Sequence, residues 1–346
     1  MLRLGRHRSE GRGALRKAGM VLVAGLLLAS AASVAAVEAP ATTSADADAD
    51  TSAGPRGERP AVRPVTTPRR GAIDFPWLPD RCYDDAHGGA TRTTPCRINR
   101  FDPARPSLVL WGDSHAQQYL PPVRSALRER DVNLVLFTSG SCPPAWVARR
   151  RAAYPSCEAK NRNALDWVRR HRADGQRVTV LLSSSWSRWR ALYRVVRADE
   201  RAGRPPSYDD AILRVIELSH EATPPLFRSL GRLGVRVDVV GISGGYPPRD
   251  KVPCEEGDNP YRCPLPRGDV IGDEVATERY LARQVRKLRA GHRFVDTSDA
   301  YCDASQCFGT VDGLATFYDS AHLGKSFTST LTSYFEPTAR RAAGRS

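Results

Sequence analysis

The stretch "SLVLWGDSHAQQYLPPV", residues 107–123, joins a strand-like run to the start of a helix-like segment. Residues 107–111 are almost continuously apolar, which is typical of a parallel strand buried on both faces. The amphipathic segment 116–130 favours a helix. Ser114 stands between them, where the first N–H groups of a helix lack partners and favour negative charge. The position therefore suits either a helix cap or a serine nucleophile.

The same alternation continues toward the C-terminus. Four more short apolar runs come after it, and amphipathic segments that favour helices separate them; they cover 132–137, 177–184, 235–242 and 292–299. Strands and helices in alternation predict an α/β domain with a parallel sheet and helices on both faces. Ligands bind beyond the carboxyl ends of the strands in such a sheet, so Ser114 lies at the functional edge.

The N-terminal 37 residues indicate export. A basic leader, "MLRLGRHRSEGRGALRKAG", precedes an apolar run from Ala18 to Val37 that is rich in small residues, and Val34-Ala35-Ala36 is a candidate cleavage site. The run fits a cleaved signal peptide or a retained anchor, since it is about long enough to span a bilayer. We therefore expect residues 1–37 to be a signal peptide or membrane anchor. In either case the rest is exported, and it is extracellular or anchored on the outer face of the cytoplasmic membrane.

Residues 38–70 differ sharply in composition from the C-terminal part of the chain. Ala, Thr, Ser, Asp and Pro dominate, and large apolar residues are nearly absent. Such a segment cannot bury enough surface to offset its ordering entropy. The sequence therefore predicts a disordered linker at 38–70 and one folded domain at 71–346.

The cysteines support an oxidising location. They are even in number and all lie C-terminal to the apolar run: Cys82, Cys96, Cys142, Cys157, Cys254, Cys263, Cys302 and Cys307. Exported chains form disulfides, and we expect neighbours in sequence to pair, as 82–96, 142–157, 254–263 and 302–307. A zinc site is the alternative, but no C-x-x-C couple or paired histidine spacing accompanies the cysteines, so no metal is expected.

The net charge alone excludes few classes of function. The net charge is +14, and the arginines are scattered without a nucleic-acid motif. We expect no nucleic-acid partner. A basic surface is compatible with an acidic polymer of the cell envelope.

A serine nucleophile needs a base. Of the seven histidines, His322 in "FYDSAHLGKSF" has Asp319 three residues earlier, on the same face of a starting helix. Asp319 could hold the imidazole of His322 and fix its tautomer. The alternative is a capping Asp319 beside a solvated His322. His115 is adjacent to Ser114, so we expect its side chain to leave the backbone in another direction.

Together these segments resemble a known family. "WGDSHAQQ" at 111–118 and "YDSAHLG" at 318–324 are similar to the two end signatures of the SGNH (GDSL-like) hydrolase superfamily. Ser139–Pro144 and the Pro248–Cys254 stretch add a resemblance to the SGNH domains fused to membrane acyltransferase-3 proteins, which O-acetylate bacterial envelope glycans. The resemblance covers about residues 80–335.

The resemblance implies a three-layer α/β/α sandwich with a five-stranded parallel sheet, of flavodoxin-like type. It implies Ser114 as nucleophile, His322 as base and Asp319 as the orienting acid. The backbone N–H groups of Ser114 and Gly140 would bind the oxyanion, and no cofactor is implied. The family's third oxyanion donor is an Asn after the third strand, but here "SSSW" stands at 183–186. Either a nearby serine hydroxyl or backbone N–H substitutes for it, or the domain is a slow transferase or a binding module.

The function expected from this resemblance is an exported serine-dependent esterase or O-acyltransferase. It would act on O-acetyl groups of a cell-envelope polysaccharide through an acyl-serine intermediate. Because the chain has one apolar segment and no many-helix membrane domain, acyl transfer would need a separate membrane acyltransferase as partner. The alternative is a non-catalytic glycan-binding or assembly module that keeps the fold. A lipase-like esterase is a third possibility.

Overall fold

The computed structural model describes residues 75–76, 78–79, 82, 95–146, 155–205, 208–245, 263–272 and 274–344. The predicted export segment, the linker and Cys254 lie outside these residues. Among the described residues, no helix is long and apolar enough to cross a bilayer.

Strands and helices alternate through most of the chain. The strands are β1 (Cys96–Arg97), β2 (Ser107–Gly112), β3 (Asn133–Thr138), β4 (Val178–Ser183), β5 (Arg236–Val240), β6 (Leu265–Pro266), β7 (His292–Val295), β8 (Gln306–Cys307), β9 (Thr310–Val311) and β10 (Leu314–Ala315). The helices are α1 (Ser114–Gln117), α2 (Leu120–Ala126), α3 (Pro155–Ala173), α4 (Trp186–Arg201), α5 (Asp210–Glu217), α6 (Thr223–Leu233), α7 (Arg267–Ile271), α8 (Glu274–Val285), α9 (Lys325–Thr328) and α10 (Thr332–Ala342).

The central sheet has the order β1-β3-β2-β4-β5-β7. Five of its strands are parallel, and they correspond to the five apolar runs of the sequence. The predicted count of five is wrong by one, because β1 pairs antiparallel with β3 at the edge. A strand of two residues has no readable periodicity, and its Cys96 is bonded to Cys82.

Alternate residues of each strand point to opposite faces, as the strand geometry requires. On one face, Leu108 and Leu134 lie in the core that also holds apolar residues of α2 and α10. On the other face, Val109 and Val135 lie with apolar residues of α3, α6 and α8. The three-layer α/β/α sandwich is therefore confirmed.

The strand order places a crevice at the end of β2. The chain runs from β2 to β3 on one side, and from β3 back past β2 to β4 on the other. Ligands bind where the direction of such connections reverses, beyond the carboxyl ends of the strands. Ser114 comes two residues after the end of β2, so the topology brings it to this crevice.

Short-range disulfides tie several loops to this frame. Three of the predicted pairs are bonded, namely Cys82–Cys96, Cys142–Cys157 and Cys302–Cys307. Cys263 is also disulfide-bonded. The cysteines thus form cross-links of the kind expected for an exported chain.

Candidate active site

The turn that carries Ser114 is closely packed. Asp113 caps α1, and its Oδ1 accepts a hydrogen bond from the backbone N–H of His115 at 2.8 Å. Gly112 lies so near β4 that a Cβ atom there would sit 1.7 Å from the backbone oxygen of Ser183. Only glycine allows this approach, so the sequence "GDS" reflects backbone contact between β2 and β4 as well as the cap.

Ser114, His322 and Asp319 come together across more than 200 residues of chain. His322 Nε2 lies 2.7 Å from Ser114 Oγ. His322 Nδ1 lies 2.9 Å from Asp319 Oδ2 and 3.0 Å from Asp319 Oδ1. With Nδ1–H donating to the carboxylate, Nε2 is the lone-pair nitrogen and accepts the hydroxyl proton of Ser114. This is the arrangement that a serine nucleophile with an oriented base requires.

Asp319 also shapes its own loop. Its Oδ1 accepts hydrogen bonds from the backbone N–H groups of Ala321 and His322, at 2.7 and 2.8 Å. Burial opposes ionisation, yet the hydrogen bond and charge of His322 and these two N–H donors hold the pKa of Asp319 below its usual value. Asp319 therefore contacts both the backbone of its own loop and the imidazole of His322.

His115 is a part of the site that sequence reasoning missed. Its side chain is buried, and its ring centroid lies 5.1 Å from that of His322. His115 Nδ1 lies 2.5 Å from Ser243 Oγ, just beyond β5. Burial lowers the pKa of His115 to about 4, although Asp113 opposes the shift. His115 is therefore a neutral imidazole beside the proposed base. The expectation that its side chain would point in another direction is wrong, because the ring lies next to that of His322.

Groups of the three serines at 183–185, at the end of β4 and just after it, hold Asp113 and α1. Asp113 Oδ2 accepts hydrogen bonds from Ser184 Oγ at 2.5 Å and from Ser185 N at 3.0 Å. Ser183 Oγ donates to the backbone oxygen of His115 at 3.1 Å. The hydroxyls of Ser183 and Ser184 and the N–H of Ser185 are thus engaged in holding the cap residue and α1 in place.

Gly140 lies at the same edge of the sheet as Ser114. The parallel register pairs Gly112 with Thr138, and Ser114 and Gly140 each come two residues later. A turn closed by the hydrogen bond from Cys142 N to Ser139 O, at 3.2 Å, contains Gly140. Ser114 and Gly140 therefore occupy equivalent positions beyond the ends of two neighbouring parallel strands.

A cavity of about 460 Å³ opens beside these residues. Its wall includes His115, Arg188, Ser243, Val270, Ser320 and Ala321. Arg188 is exposed, and within the described chain no carboxylate lies at ion-pair distance from it. The cavity thus offers a positive, partly apolar space next to Ser114.

Comparison with known proteins identifies a family for most of the chain. The family model of the SGNH domain fused to AT3 domains matches residues 81–337. A solved structure of the periplasmic domain of a lipopolysaccharide acetyltransferase from Salmonella ser. Paratyphi A is similar at 16% identity and a TM-score of 0.45, over 68% of this chain and 84% of that one.

A carbohydrate acetylesterase family member from Sinorhizobium meliloti is similar at 13% identity and a TM-score of 0.31, over 69% of this chain and 99% of that one. No curated protein matches the chain. Since the family model covers residues 81–337, which are most of the chain, the protein belongs to the family of SGNH domains that are fused to AT3 domains.

Proposed function

We propose that Ser114, His322 and Asp319 form the catalytic triad of this SGNH-type ester hydrolase or O-acetyltransferase. The observation that carries the proposal is the pair of contacts on one imidazole. His322 Nε2 lies 2.7 Å from Ser114 Oγ, and the carboxylate of Asp319 lies 2.9 Å from Nδ1. A hydroxyl held in this way can lose its proton as it attacks a carbonyl carbon.

The reaction uses acyl-serine chemistry. His322 takes the proton of Ser114 Oγ while the oxygen adds to the ester carbonyl. The backbone N–H groups of Ser114 and Gly140 stabilise the resulting oxyanion. His322 then protonates the leaving alkoxide as the C–O bond breaks, which leaves an acyl-serine. Water or a sugar hydroxyl attacks this intermediate, again with His322 as base, and releases an acid or a new ester.

The substrate class is inferred from the family and from the cavity. We infer an O-acetylated polysaccharide of the cell envelope, reached by an exported chain. The cavity of about 460 Å³ beside Ser114 is open and carries the positive charge of Arg188, which suits a sugar unit of an acidic polymer. For transfer, a separate AT3-type membrane protein would supply the acyl group, in keeping with the fusion that defines the family.

The test is ester hydrolysis by the purified full-length protein. p-Nitrophenyl acetate turnover by the wild type should exceed that of Ser114→Ala and His322→Ala by about 10³-fold or more. Equal rates in all three proteins would overturn the assignment and favour a non-catalytic glycan-binding or assembly module. Adding an unacetylated glycan as acceptor separates transfer from hydrolysis, because only a transferase makes new sugar esters from the acyl-serine.

A further inference from the structure

Lys160 on α3 is completely buried and has an unusual set of partners. Its Nζ donates hydrogen bonds to the backbone oxygen of Gly112 at 2.8 Å and to that of Cys142 at 3.0 Å. Within the described residues, no carboxylate lies at ion-pair distance from it. Burying an amine without a counter-charge is costly, so the two carbonyl contacts call for a specific account.

Burial lowers the pKa of Lys160 to about 7, and the negative charge of Asp113 opposes the shift. A neutral amine has two N–H groups, and two carbonyl oxygens would satisfy both. Lys160 therefore fits its site as a bridge between two backbone segments.

The two bridged segments are those that carry the proposed oxyanion donors. Gly112 is the last residue of β2 and precedes Ser114 by two positions. Cys142 closes the 139–142 turn, which contains Gly140. The backbone oxygen of Gly112 also accepts from Ser139 N at 3.3 Å, so the start of the turn meets the end of β2 directly.

Neighbours of Lys160 on α3 hold the same two segments. Asn161 Oδ1 accepts from Trp111 Nε1 at 2.7 Å, and Asn161 Nδ2 donates to the backbone oxygen of Pro143 at 2.9 Å. Cys157, one turn earlier, is bonded to Cys142. Three side chains of α3, those of Cys157, Lys160 and Asn161, thus fasten the strand end and the turn to one helix.

The turn itself needs such support. Ser141 has a φ of +50°, in the left-handed region that non-glycine residues rarely adopt. A residue held in this region costs free energy and persists only where surrounding contacts determine it. Lys160 and the Cys142–Cys157 disulfide are the contacts that lie immediately after Ser141.

We propose that Lys160 is a positioning residue of the acyl-transfer site. By joining the carbonyl groups of Gly112 and Cys142, it fixes the position of the Gly140 N–H relative to Ser114. The inference rests on the proposed function, in which these two residues stabilise one oxyanion. It assigns Lys160 a role through the backbone and no contact with substrate.

The first test compares Lys160→Met with Lys287→Met in p-nitrophenyl acetate hydrolysis. Lys287 is part-buried, lies two residues after the end of α8 and donates to Gln284, outside the elements that carry Ser114 and Gly140. Misplacing one oxyanion donor should lower kcat of Lys160→Met on the order of 10-fold to 100-fold with little change in KM. Lys287→Met should match the wild type. Unchanged kcat in a folded Lys160→Met protein would overturn the proposal.

A double-mutant cycle identifies the route of the effect. Gly140→Pro removes the Gly140 N–H, and a Cβ atom at this position meets no atom within 4 Å. If Lys160 acts by placing this N–H, the double variant should be no slower than Gly140→Pro alone. Additive losses would mean that Lys160 acts elsewhere.

Amide hydrogen exchange reports on the turn independently of catalysis. Peptides covering 139–146 should exchange faster in Lys160→Met, while peptides of α8 stay unchanged; equal exchange would contradict the bridging role. Absence of Ser114-dependent turnover in the wild type would instead refute the proposed function. The hydrogen exchange of peptides 139–146 would still test whether Lys160 holds the turn. If Lys160→Met does not fold, Lys160→Gln, which keeps an N–H₂ donor, is measured in the same way.

Discussion

Asp319 serves the backbone of its own loop and, in the proposed triad, also the chemistry. Its carboxylate accepts from two backbone N–H groups and from the imidazole of His322. These donors keep it ionised despite partial burial. An ionised acceptor at Nδ1 fixes the tautomer in which Nε2 can accept the proton of Ser114.

The substitution Asp319→Asn therefore keeps the shape of the side chain and removes its negative charge. The asparagine side chain has a similar volume, but its amide can hold the wrong tautomer of His322. We expect kcat for p-nitrophenyl acetate to fall on the order of 10³-fold to 10⁴-fold, with KM nearly unchanged. Asp303→Asn is the matched control, since Asp303 makes the same kind of backbone turn on the surface. A fall of less than tenfold in the Asp319 variant would contradict the orienting role.

The lowered pKa of Lys160 predicts that the free energy of unfolding depends on pH. Its pKa is about 7 in the folded protein and near the ordinary value of 10.5 when unfolded. Between these values the unfolded chain binds more protons, so the free energy of unfolding rises with pH, by up to about 1.4 kcal/mol per pH unit. This gain in the free energy of unfolding is complete above the pKa that Lys160 has in the unfolded chain. It is lost as the pH falls to the pKa that Lys160 has in the folded protein.

Urea unfolding from pH 7 to 10, in wild type and Lys160→Met, measures this directly. The stability difference between wild type and variant should grow with pH in favour of the wild type. Taking the difference cancels the titration of buried tyrosines such as Tyr119 and Tyr301, whose pKa values burial raises. A difference that stays flat over this range would show that Lys160 keeps its charge when folded.

At the scale of elements, the contact of β2 with β4 sets the position of the whole site. Gly112 pairs with Ser183, and the hydroxyls and N–H groups after β4 hold Asp113 and α1. Gly112→Ala would bring a methyl group against the backbone oxygen of Ser183. We expect a loss of about 3 kcal/mol or more in urea unfolding, because neither strand can yield.

Gly268→Ala is the control for this substitution. Gly268 lies in α7, and a methyl group there meets no atom within 4 Å. Alanine should leave the stability unchanged or raise it by up to about 1 kcal/mol. Equal effects at the two glycines would mean that the close approach of β2 and β4 does not matter for folding.

Two disulfides of nearly equal span allow stability and positioning to be separated. Cys142–Cys157 and Cys82–Cys96 have sequence separations of 15 and 14. Removing either by a double Cys→Ser change should cost about 3 kcal/mol by loop entropy. Only the former is bonded next to Gly140, so only its loss should also lower kcat. Equal kinetic effects of the two changes would argue against a positioning role for the 139–142 turn.

Features that leave a local pattern in the sequence could be predicted, whereas features that depend on contacts between distant residues could not. Five parallel strands were predictable, because burial on both faces leaves a local apolar run in each. β1 was not, since two residues carry no pattern. The burial of His115 against Ser243 depends on a contact between residues 128 positions apart. The use of Ser184 and Ser185 to hold Asp113 likewise depends on contacts between residues 71 and 72 positions apart, which no local pattern records.

At the scale of the whole molecule, the net charge of +9 that remains C-terminal to the expected export segment bears on the substrate. A positive protein attracts an anionic polymer at a distance and raises the rate of encounter, and salt screens this attraction. Arg188 brings that charge to the cavity beside Ser114. If the substrate is an acidic O-acetylated glycan, kcat/KM for it should fall severalfold to about 10-fold as NaCl rises from about 0.05 M to about 0.5 M.

Two comparisons give this last prediction its specificity. p-Nitrophenyl acetate is neutral, so its hydrolysis should not depend on salt over the same range. Arg188→Gln should raise KM for the acidic glycan and weaken the salt dependence, whereas Arg128→Gln, an exposed change in another cavity, should do neither. Salt-independent turnover of the acidic glycan, or identical behaviour of the two arginine variants, would assign the basic charge to some other role. A neutral glycan processed at the same rate in all salts would then be the better candidate, because the cavity would be selecting for shape and the ester rather than for charge.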